Sequence, residues 1–416
     1  MPAEKMLGIY VHQHWSYRHP YAARTWTLDD WRGYLDGIRR LGYNMVLIWP
    51  VLETMPQPLT PSDEASIAKM AAVIRLAHRD FGMRVHLVLC PNVGVKSDEA
   101  RKFTFEQRPF FRTDTRVDPG DPVAFGRLMA WREQLLRPLA ETDGLFIIDS
   151  DPGGYPNSTN LEFVYILGAH RRVLDRLRPG IALYYWAHAG WEAYGRYYAT
   201  GEFKRGELGE LRDAVALLAK QRVEPWGVAV SVPDLADPIG MSDRVLTFRY
   251  GAIESEPSFP LTLFGESRTT AGAKLASHRG LLGNAQTHCV QLPNTFAFAR
   301  TAQGQSVERS DYVRFADELL PGHGQTIVDG WEALQGSERK RMEEVAARLD
   351  ALRGSPQKTG PLRGLLFGQP ERFLDDLALQ LRMVASFRDF QRAIDRSEEH
   401  TSELQSRQYL VCRLLL

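Results

Sequence analysis

The hydrophobic positions of the chain form short, nearly continuous apolar runs that alternate with longer amphipathic segments. Eight of these runs predict strands, at 7–12, 44–49, 84–90, 145–149, 181–187, 226–231, 244–250 and 281–290. Continuous apolar runs are typical of parallel strands that are covered on both faces, whereas half-exposed strands alternate between apolar and polar residues. The pattern therefore predicts a buried parallel sheet.

Amphipathic segments between most of the apolar runs predict helices, at 27–41, 61–81, 122–141, 158–177 and 206–221. The first of them begins at Thr27, which two aspartates follow, and stops at Gly42. These residue types are ordinary start and stop signals of a helix. Eight strands with intervening helices over about 320 residues favour an α/β fold, a (β/α)8 TIM barrel, with an open doubly wound sheet as the alternative.

The strand-like runs end before residue 309, and the rest of the chain has a different character. Helical patterns at 309–319, 324–353 and 370–395 predict a helical C-terminal region. Residues 396–416 match, in frame, the translation of a common short-read sequencing adapter. We therefore expect a catalytic barrel over 1–308, a truncated helical region over 309–395 and a non-native tail over 396–416, which is excluded from fold prediction.

Composition and charge narrow the functional classes. The chain has 51 basic and 51 acidic residues, so its formal net charge is zero, which argues against a nucleic acid or a membrane surface as partner. The N-terminus lacks the pattern of a signal peptide, and no apolar run has the length of a membrane span. The three scattered cysteines form neither a disulfide framework nor a metal knuckle. We expect a cytoplasmic protein without a cofactor.

The segment LFIIDSDPGGYP at 145–156 places two carboxylates where a predicted strand ends. Side chains alternate along a strand, so Asp149 and Asp151 point the same way, and Pro152 ends the strand. Repulsion between close carboxylates raises the proton affinity of one of them, and two carboxylates in different protonation states suit general acid–base catalysis. The alternative is a turn or helix-capping pair.

Polar and aromatic residues recur at the carboxyl ends of nearly all the predicted strands, where barrels of this type build their active sites. Besides the two aspartates, these residues are His12, His14, Trp15, Trp49, Glu53, Asn92, Tyr155, Trp186, His188, Trp191, Glu192, Tyr250, Glu254, Glu256, Asn284, Gln286, His288, Gln291 and Asn294. Carboxylates and amides bind hydroxyl groups, and aromatic rings pack on the C–H faces of sugars. The set therefore predicts a pocket for a carbohydrate substrate.

A barrel with paired acids after its fourth strand resembles the hexosaminidase and chitinase-like glycoside hydrolases, which use substrate-assisted retention. The resemblance implies that Asp149 orients the acetamido group of the substrate and that Asp151 protonates the leaving oxygen. It also implies that Trp186 and Tyr250 wall the acetamido pocket. The resemblance is one of architecture, because the motifs of those enzymes contain Glu, whereas here both acids are Asp and Ser150 separates them.

Two further functional classes fit the same positions. The His-Gln-His segment after the first strand resembles the amidohydrolases, in which His12, His14 and His188 would bind a metal, although strand six offers no histidine. A non-catalytic carbohydrate-binding barrel would need the aromatic residues but no poised acid. Its candidate platforms are Trp15, Trp49, Trp186 and Trp191.

A conventional two-carboxylate glycosidase is the remaining alternative. It would combine Asp151 with one of three glutamates, which are Glu53, Glu254 and Glu256. The separation of the two carboxyl groups decides between inverting and retaining chemistry. In a version that acts on uronic acids, an arginine would hold the uronate, and Arg24 and Arg249 are the candidates.

Removal of residues 396–416 should leave folding and activity unchanged, because an adapter-derived segment was never selected to pack on this protein. The thermal-unfolding midpoints of the full chain and of a chain ending at Asp395 should agree within about 2 °C, the shift that somewhat less than 1 kcal/mol produces. A substantial loss of stability in the shorter chain would show that the segment belongs to the fold.

Overall fold

A closed barrel of eight parallel strands is the main feature of the computed structural model, which describes residues 5–13, 23–109, 113–150, 152–156, 158–202, 204, 208–220, 226–230, 242–254, 261–265, 278–285, 287–353 and 360–397. The strands are β1 (Met6–His12), β2 (Met45–Trp49), β3 (Arg84–Leu89), β4 (Gly144–Ile148), β5 (Ala182–Ala187), β6 (Trp226–Val230), β7 (Val245–Arg249) and β8 (Gly280–Ala285). Consecutive strands pair in parallel, and β1 pairs with β8 to close the barrel. The predicted α/β TIM-barrel fold is confirmed.

The predicted strand bounds agree with the structure within one residue for the first seven strands. The eighth strand ends at Ala285 rather than at 290. Thr287 does not extend the ladder, because its amide donates to the carboxylate of Glu254, 2.8 Å away, instead of to a neighbouring strand. Residues 287–290 form a turn, closed by a hydrogen bond from the Val290 amide to the Thr287 carbonyl.

Seven helices of ten or more residues accompany the strands in the described part of the barrel: α1 (Leu28–Arg40), α2 (Pro61–Phe81), α3 (Pro122–Leu136), α4 (Asn160–Leu177), α5 (Trp191–Thr200), α6 (Leu208–Lys220) and α7 (Leu292–Ala302). Capping boxes at Thr27, Thr60 and Thr159 begin α1, α2 and α4. The hydrophobic pattern of the sequence does not predict α5 and α7. Gly190 and Gln291, at their N-caps, make no side-chain capping bond, and nearly all of α7 is buried, so its sequence shows no polar face.

Aromatic rings fill the interior of the barrel. The ring of Tyr10 in β1 lies 5.1 Å from that of Trp186 in β5 and 5.8 Å from that of Phe248 in β7. Trp186 and Phe248 are 4.8 Å apart, and Phe146 stacks on Tyr184 at 4.4 Å. Because β1 and β5 lie on opposite sides of the barrel, these contacts cross its centre. They also identify which side chains of each strand face inward.

The C-terminal helices belong to a second compact unit, Leu261–Gly265 with Glu308–Leu416, whereas the barrel belongs to Met1–Pro260 with Glu266–Val307. Its helices are α8 (Arg309–Leu319), α9 (Gly324–Gln335), α10 (Arg339–Arg353) and α11 (Pro370–Ser397). The single helix predicted over 324–353 is wrong: it is interrupted at Gly336, a poor helix former, and becomes α9 and α10. Across the described residues, no helix combines the length and the apolar character that crossing a membrane requires.

His86 faces the interior, with its ring 5.7 Å from Phe146 and 5.5 Å from Tyr184. Burial lowers the pKa of His86 to about 4, whereas an unfolded histidine titrates near 6.5. At pH values between about 4 and 6.5, His86 is protonated in the unfolded chain but not in the folded one. The free energy of unfolding therefore decreases as the pH falls from about 6.5 towards 4. Replacing His86 by Leu should reduce that loss by up to about 1.4 kcal/mol per pH unit.

Urea unfolding followed by near-UV circular dichroism between pH 7 and 4.5 measures this effect. His323→Leu, at a half-exposed position in the helical unit, is the control and should leave the acid dependence of barrel unfolding unchanged. An unaltered acid dependence in the His86→Leu protein would contradict the assignment.

Candidate active site

Asp149 follows β4, and its carboxylate is surrounded by protein donors. Tyr185 donates its hydroxyl to Oδ2 at 2.9 Å, and Ser150 donates its hydroxyl to Oδ1 at 2.8 Å. The three consecutive amides of residues 188–190 donate at 3.2 Å each. Asp149 is fully buried. Both carboxylate oxygens are therefore engaged, and the side chain ties the end of β4 to the turn that begins α5.

The carboxylate of Asp149 points away from the barrel interior. The ring of Tyr185, which donates to it, lies 4.9 Å from Phe163 of α4, in the layer between strands and helices. The neighbouring Trp186 faces inward. Phe146 of the same strand faces inward, so the alternation of side chains puts Asp149 on the outward face, but a fully buried run does not tell from sequence which face is which. Asp151, its proposed partner, lies outside the described residues.

His12 and three rings form the floor at the carboxyl end of the interior. His12 Nε2 is hydrogen-bonded to the hydroxyl of Tyr10 at 2.7 Å, and the ring of His12 is 5.4 Å from that of Trp49. Trp49 and Trp186 are nearly fully buried. The structure therefore brings the predicted His12, Trp49 and Trp186 together around Tyr10. Sequence reasoning missed Tyr10 as a site residue because it lies within a continuous apolar run.

Glu254, after β7, is a buried carboxyl group with a fixed orientation. Thr287 donates its amide to Oε2 at 2.8 Å and its hydroxyl to Oε1 at 2.7 Å. The main chain of Glu254 is also bound, because its carbonyl accepts from Asn284 Nδ2 at 3.0 Å and its amide donates to the Asn284 carbonyl at 3.1 Å. Asn284 pairs in register with Tyr10. The main chain of Glu254 is thus joined to Asn284, the register partner of Tyr10.

Glu53, in the loop after β2, is a second buried carboxyl group. It accepts from the amide of Cys90, and Trp49 Nε1 lies 3.4 Å from both of its oxygens. Burial raises the pKa of Glu53, against the opposing effects of the Cys90 amide and of attraction to Arg132. Val51, two residues earlier, has φ +49°, a strained conformation for a β-branched residue. Such strain concentrates at functional sites.

Asn92, Trp191 and Glu192 hold neighbouring segments together. The amide side chain of Asn92 donates to the Gly154 carbonyl at 3.3 Å and accepts from the Gly154 amide at 3.1 Å. Glu192 accepts from the amide of Asn160, the first residue of α4, at 2.9 Å. Trp191 is fully buried and packs on α4. These contacts give the three residues supporting positions rather than positions facing a substrate.

The predicted residues after β8 pack behind the barrel wall. His288 Nδ1 is hydrogen-bonded to the hydroxyl of Tyr34 in α1 at 2.5 Å, and burial lowers the pKa of His288 to about 3. Asn294 donates to the carbonyl of Ile253 at 3.0 Å. Gln291 donates, at 3.4 Å, to the same hydroxyl that binds Glu254. Of these three side chains, Gln291 is the one linked to a candidate carboxyl group.

Three predicted residues, Tyr155, His188 and Tyr250, are partly exposed. His188 Nδ1 lies 3.1 Å from the hydroxyl of Ser150. Tyr250 is 52% exposed, whereas Trp186, its expected partner in an acetamido pocket, is 3% exposed and packs on Phe248. Five further predictions lie outside the described residues: His14, Trp15, Asp151, Glu256 and Gln286. Among the described residues, no three His, Cys, Asp or Glu side chains are grouped to bind a metal ion.

Arg24, considered above as a uronate ligand, is fully buried in a structural position. Its Nε donates to the carbonyl of Gln13 at 2.6 Å, and its Nη1 donates to the carbonyls of Phe105, at 2.9 Å, and Arg108. These bonds fasten the loop after β3 to the end of β1. The guanidinium group of Arg24 therefore binds main-chain carbonyls of the protein itself.

No family profile matches the chain, and no curated protein matches its sequence. Among solved structures, a GH138 enzyme targeting pectin rhamnogalacturonan II matches with a TM-score of 0.52 and 12% identity, over 92% of this chain and 57% of that enzyme. A putative α-L-fucosidase from Bacteroides thetaiotaomicron matches with a TM-score of 0.44 and 10% identity, over 73% of this chain and 94% of that one.

A GH20 β-N-acetylhexosaminidase from Streptomyces coelicolor A3(2) matches with a TM-score of 0.38 and 12% identity, over 71% of this chain and 64% of that one. At such identities the likeness shows the fold, a barrel that this chain shares with glycoside hydrolases. The chain spans little more than half the length of the GH138 enzyme.

The buried carboxylate of Asp149 should be required for stability. Asp149→Ala leaves five buried donors without their acceptor and should lower the free energy of unfolding by roughly 3–5 kcal/mol. Tyr185→Phe, the matched control, removes one donor and should cost about 1 kcal/mol. Urea denaturation of the two variants measures both effects. A fully stable Asp149→Ala protein would contradict the supporting role.

Proposed function

We propose that the chain is a glycoside hydrolase that cleaves a glycosidic bond at the carboxyl end of its barrel, with Asp151 after β4 and Glu254 after β7 as the catalytic pair. The observation that carries the proposal is the buried carboxyl group of Glu254, which Thr287 holds through both oxygens after β7. The barrel shared with glycoside hydrolases supports the same reaction class at the level of the fold.

Glu254 has the properties of a carboxylate that attacks the substrate or activates water. Two donors on its oxygens hold the carboxyl group in one orientation. Glu254 is 2% exposed, and the buried rings of Trp186 and Phe248 pack against each other in the barrel interior. A fixed charge in such surroundings stabilises a developing positive charge more strongly than it does in water.

Asp151 is proposed as the acid because Asp149 fixes the end of β4 two residues before it. The strand ends at Ile148, so the alternation that turns Asp149 outward does not extend to Asp151. The five donors on Asp149 fix the end of β4, so the following residues start from a defined position. Ile148 pairs in register with Trp186, whose ring contacts Phe248 of β7. The ends of β4 and β7 therefore flank one ring, on which a glycosidic bond would be held between the two acids.

The geometry favours this two-carboxylate mechanism over substrate-assisted retention. In a substrate-assisted enzyme the first acid of the pair has to bind the acetamido group of the sugar. Asp149 points towards Tyr185 and the helix layer, away from the interior in which a sugar would bind. Its role is therefore to position the loop, and specificity for N-acetylated sugars is not part of the proposal.

Kinetics of single variants on a panel of aryl glycosides and pectic oligosaccharides test the assignment. Asp151→Asn should lower kcat by about 10³-fold or more on substrates with poor leaving groups and by much less on activated aryl glycosides, which need little protonation. Glu254→Gln should lower kcat on both kinds of substrate, because its role does not depend on the leaving group. Glu141→Gln, an exposed residue on the far loop before β4, is the control and should retain full activity.

Two outcomes of these kinetic measurements would contradict the proposal. No hydrolysis of any glycoside by the wild-type protein would overturn the reaction class. Hydrolysis that persists in both Asp151→Asn and Glu254→Gln would keep the class and overturn the proposed pair.

A further inference from the structure

A cavity of about 310 Å³ lies outside the barrel interior, between helix α3 and the loops that follow β2 and β3. Much of its wall is apolar and includes Val93, Leu128, Leu135 and the half-exposed ring of Trp131. The volume is at the lower end of the range of small-molecule sites, which are mostly apolar with a few placed polar groups. The mechanism proposed above does not use this cavity.

Two buried side chains of opposite charge border the cavity without pairing. Glu53 is 6% exposed and Arg132 is 3% exposed, yet each of them is hydrogen-bonded to other groups rather than to its opposite charge. Glu53 is bound by Cys90 and Trp49, as described above. Arg132 donates from Nη1 to His170 Nε2 at 2.7 Å and from Nη2 to the Val93 carbonyl at 3.4 Å.

Buried groups of opposite charge usually form an ion pair, because the desolvation of each charge costs free energy that only a close partner offsets. Here the protein holds them apart on the wall of one cavity. Glu53 is held by its strained loop, and Arg132 by α3 and His170. A ligand that carries both hydrogen-bond donors and acceptors would complete the arrangement by bridging the two groups.

We propose that this cavity is a second carbohydrate-binding site, which takes one neutral sugar unit between Arg132 and Glu53. A hydroxyl oxygen of the sugar accepts from Arg132, and a hydroxyl donates to Glu53. The ring of Trp131 covers a C–H face of the sugar at the mouth of the cavity. A neutral unit preserves the balance between the two charges, whereas a uronate would place a second anion beside Glu53.

The surroundings of the cavity fit a unit that belongs to a longer chain. A neighbouring depression of about 510 Å³ shares Gln57, Arg127 and Trp131 with the cavity. It continues along α3 past Gln134 and Arg137, which are exposed. The rest of an oligosaccharide can leave the cavity along this path. The cavity would then bind a polysaccharide at a distance from the proposed cleavage site at the carboxyl end of the barrel.

Binding can be measured without any hydrolytic activity, so the test is independent of the proposed function. The probes are methyl β-D-galactopyranoside, which is neutral, and D-galacturonate, which has the same hydroxyl configuration at C2–C4 but a carboxylate at C6. The indole ¹H–¹⁵N signal of Trp131 in the full chain, assigned through Trp131→Phe, reports occupancy of this cavity rather than of the barrel. The neutral probe should shift that signal saturably, with an affinity at least about tenfold higher than that of galacturonate.

Variants locate the site. Ala124→Trp fills the cavity from α3 and should abolish the shift, whereas Val123→Trp, on the exposed face of the same helix turn, should leave it unchanged. Glu53→Gln keeps an acceptor for the Cys90 amide and should weaken binding by about tenfold, even if the Ala124→Trp protein does not fold. No shift with the neutral probe, stronger binding of galacturonate, or unaltered affinity in Glu53→Gln would each overturn the proposal.

Discussion

The burial of one charge at the end of β4 is the interaction on which the carboxyl end of the barrel depends. A carboxylate without solvent contact persists only where the protein replaces its hydration shell. Around Asp149, the replacement is supplied by one tyrosine, one serine and the three amides of residues 188–190. Those amides belong to the turn before α5, so a single side chain fixes two consecutive loops of the rim.

The same interaction explains why α5 was not recognised from sequence. The start of a helix can usually be recognised from its N-cap residue, as Thr27 and Thr159 mark the starts of α1 and α4. The beginning of α5 is supported instead by a carboxylate about 40 residues earlier, which no local pattern reveals. The strand bounds were predictable because a buried parallel strand depends on continuous apolarity, a property that the sequence displays directly.

The candidate site was less predictable, for a geometric reason. Continuous apolar runs identify strands but do not reveal which alternate residues face inward. The sequence therefore showed that Asp149 follows a strand, but the outward direction became evident only from its bond to Tyr185. Pairs such as Glu53 and Arg132, which border one cavity, are separated by a strand and a helix in the chain. Arg132 lies within an ordinary helical pattern and carried no signal of its own.

The packed rings in the barrel have a consequence for how this protein can change during evolution. Tyr10, Trp186 and Phe248 contact one another across the centre, so a change in any of them disturbs several strands at once. The loop contacts described above join neighbouring loops, as Asp149 joins the end of β4 to the turn before α5, rather than strands on opposite sides of the barrel. Substitutions and insertions are therefore expected to accumulate in the rim, while the rings beneath stay constrained by the stability of the barrel.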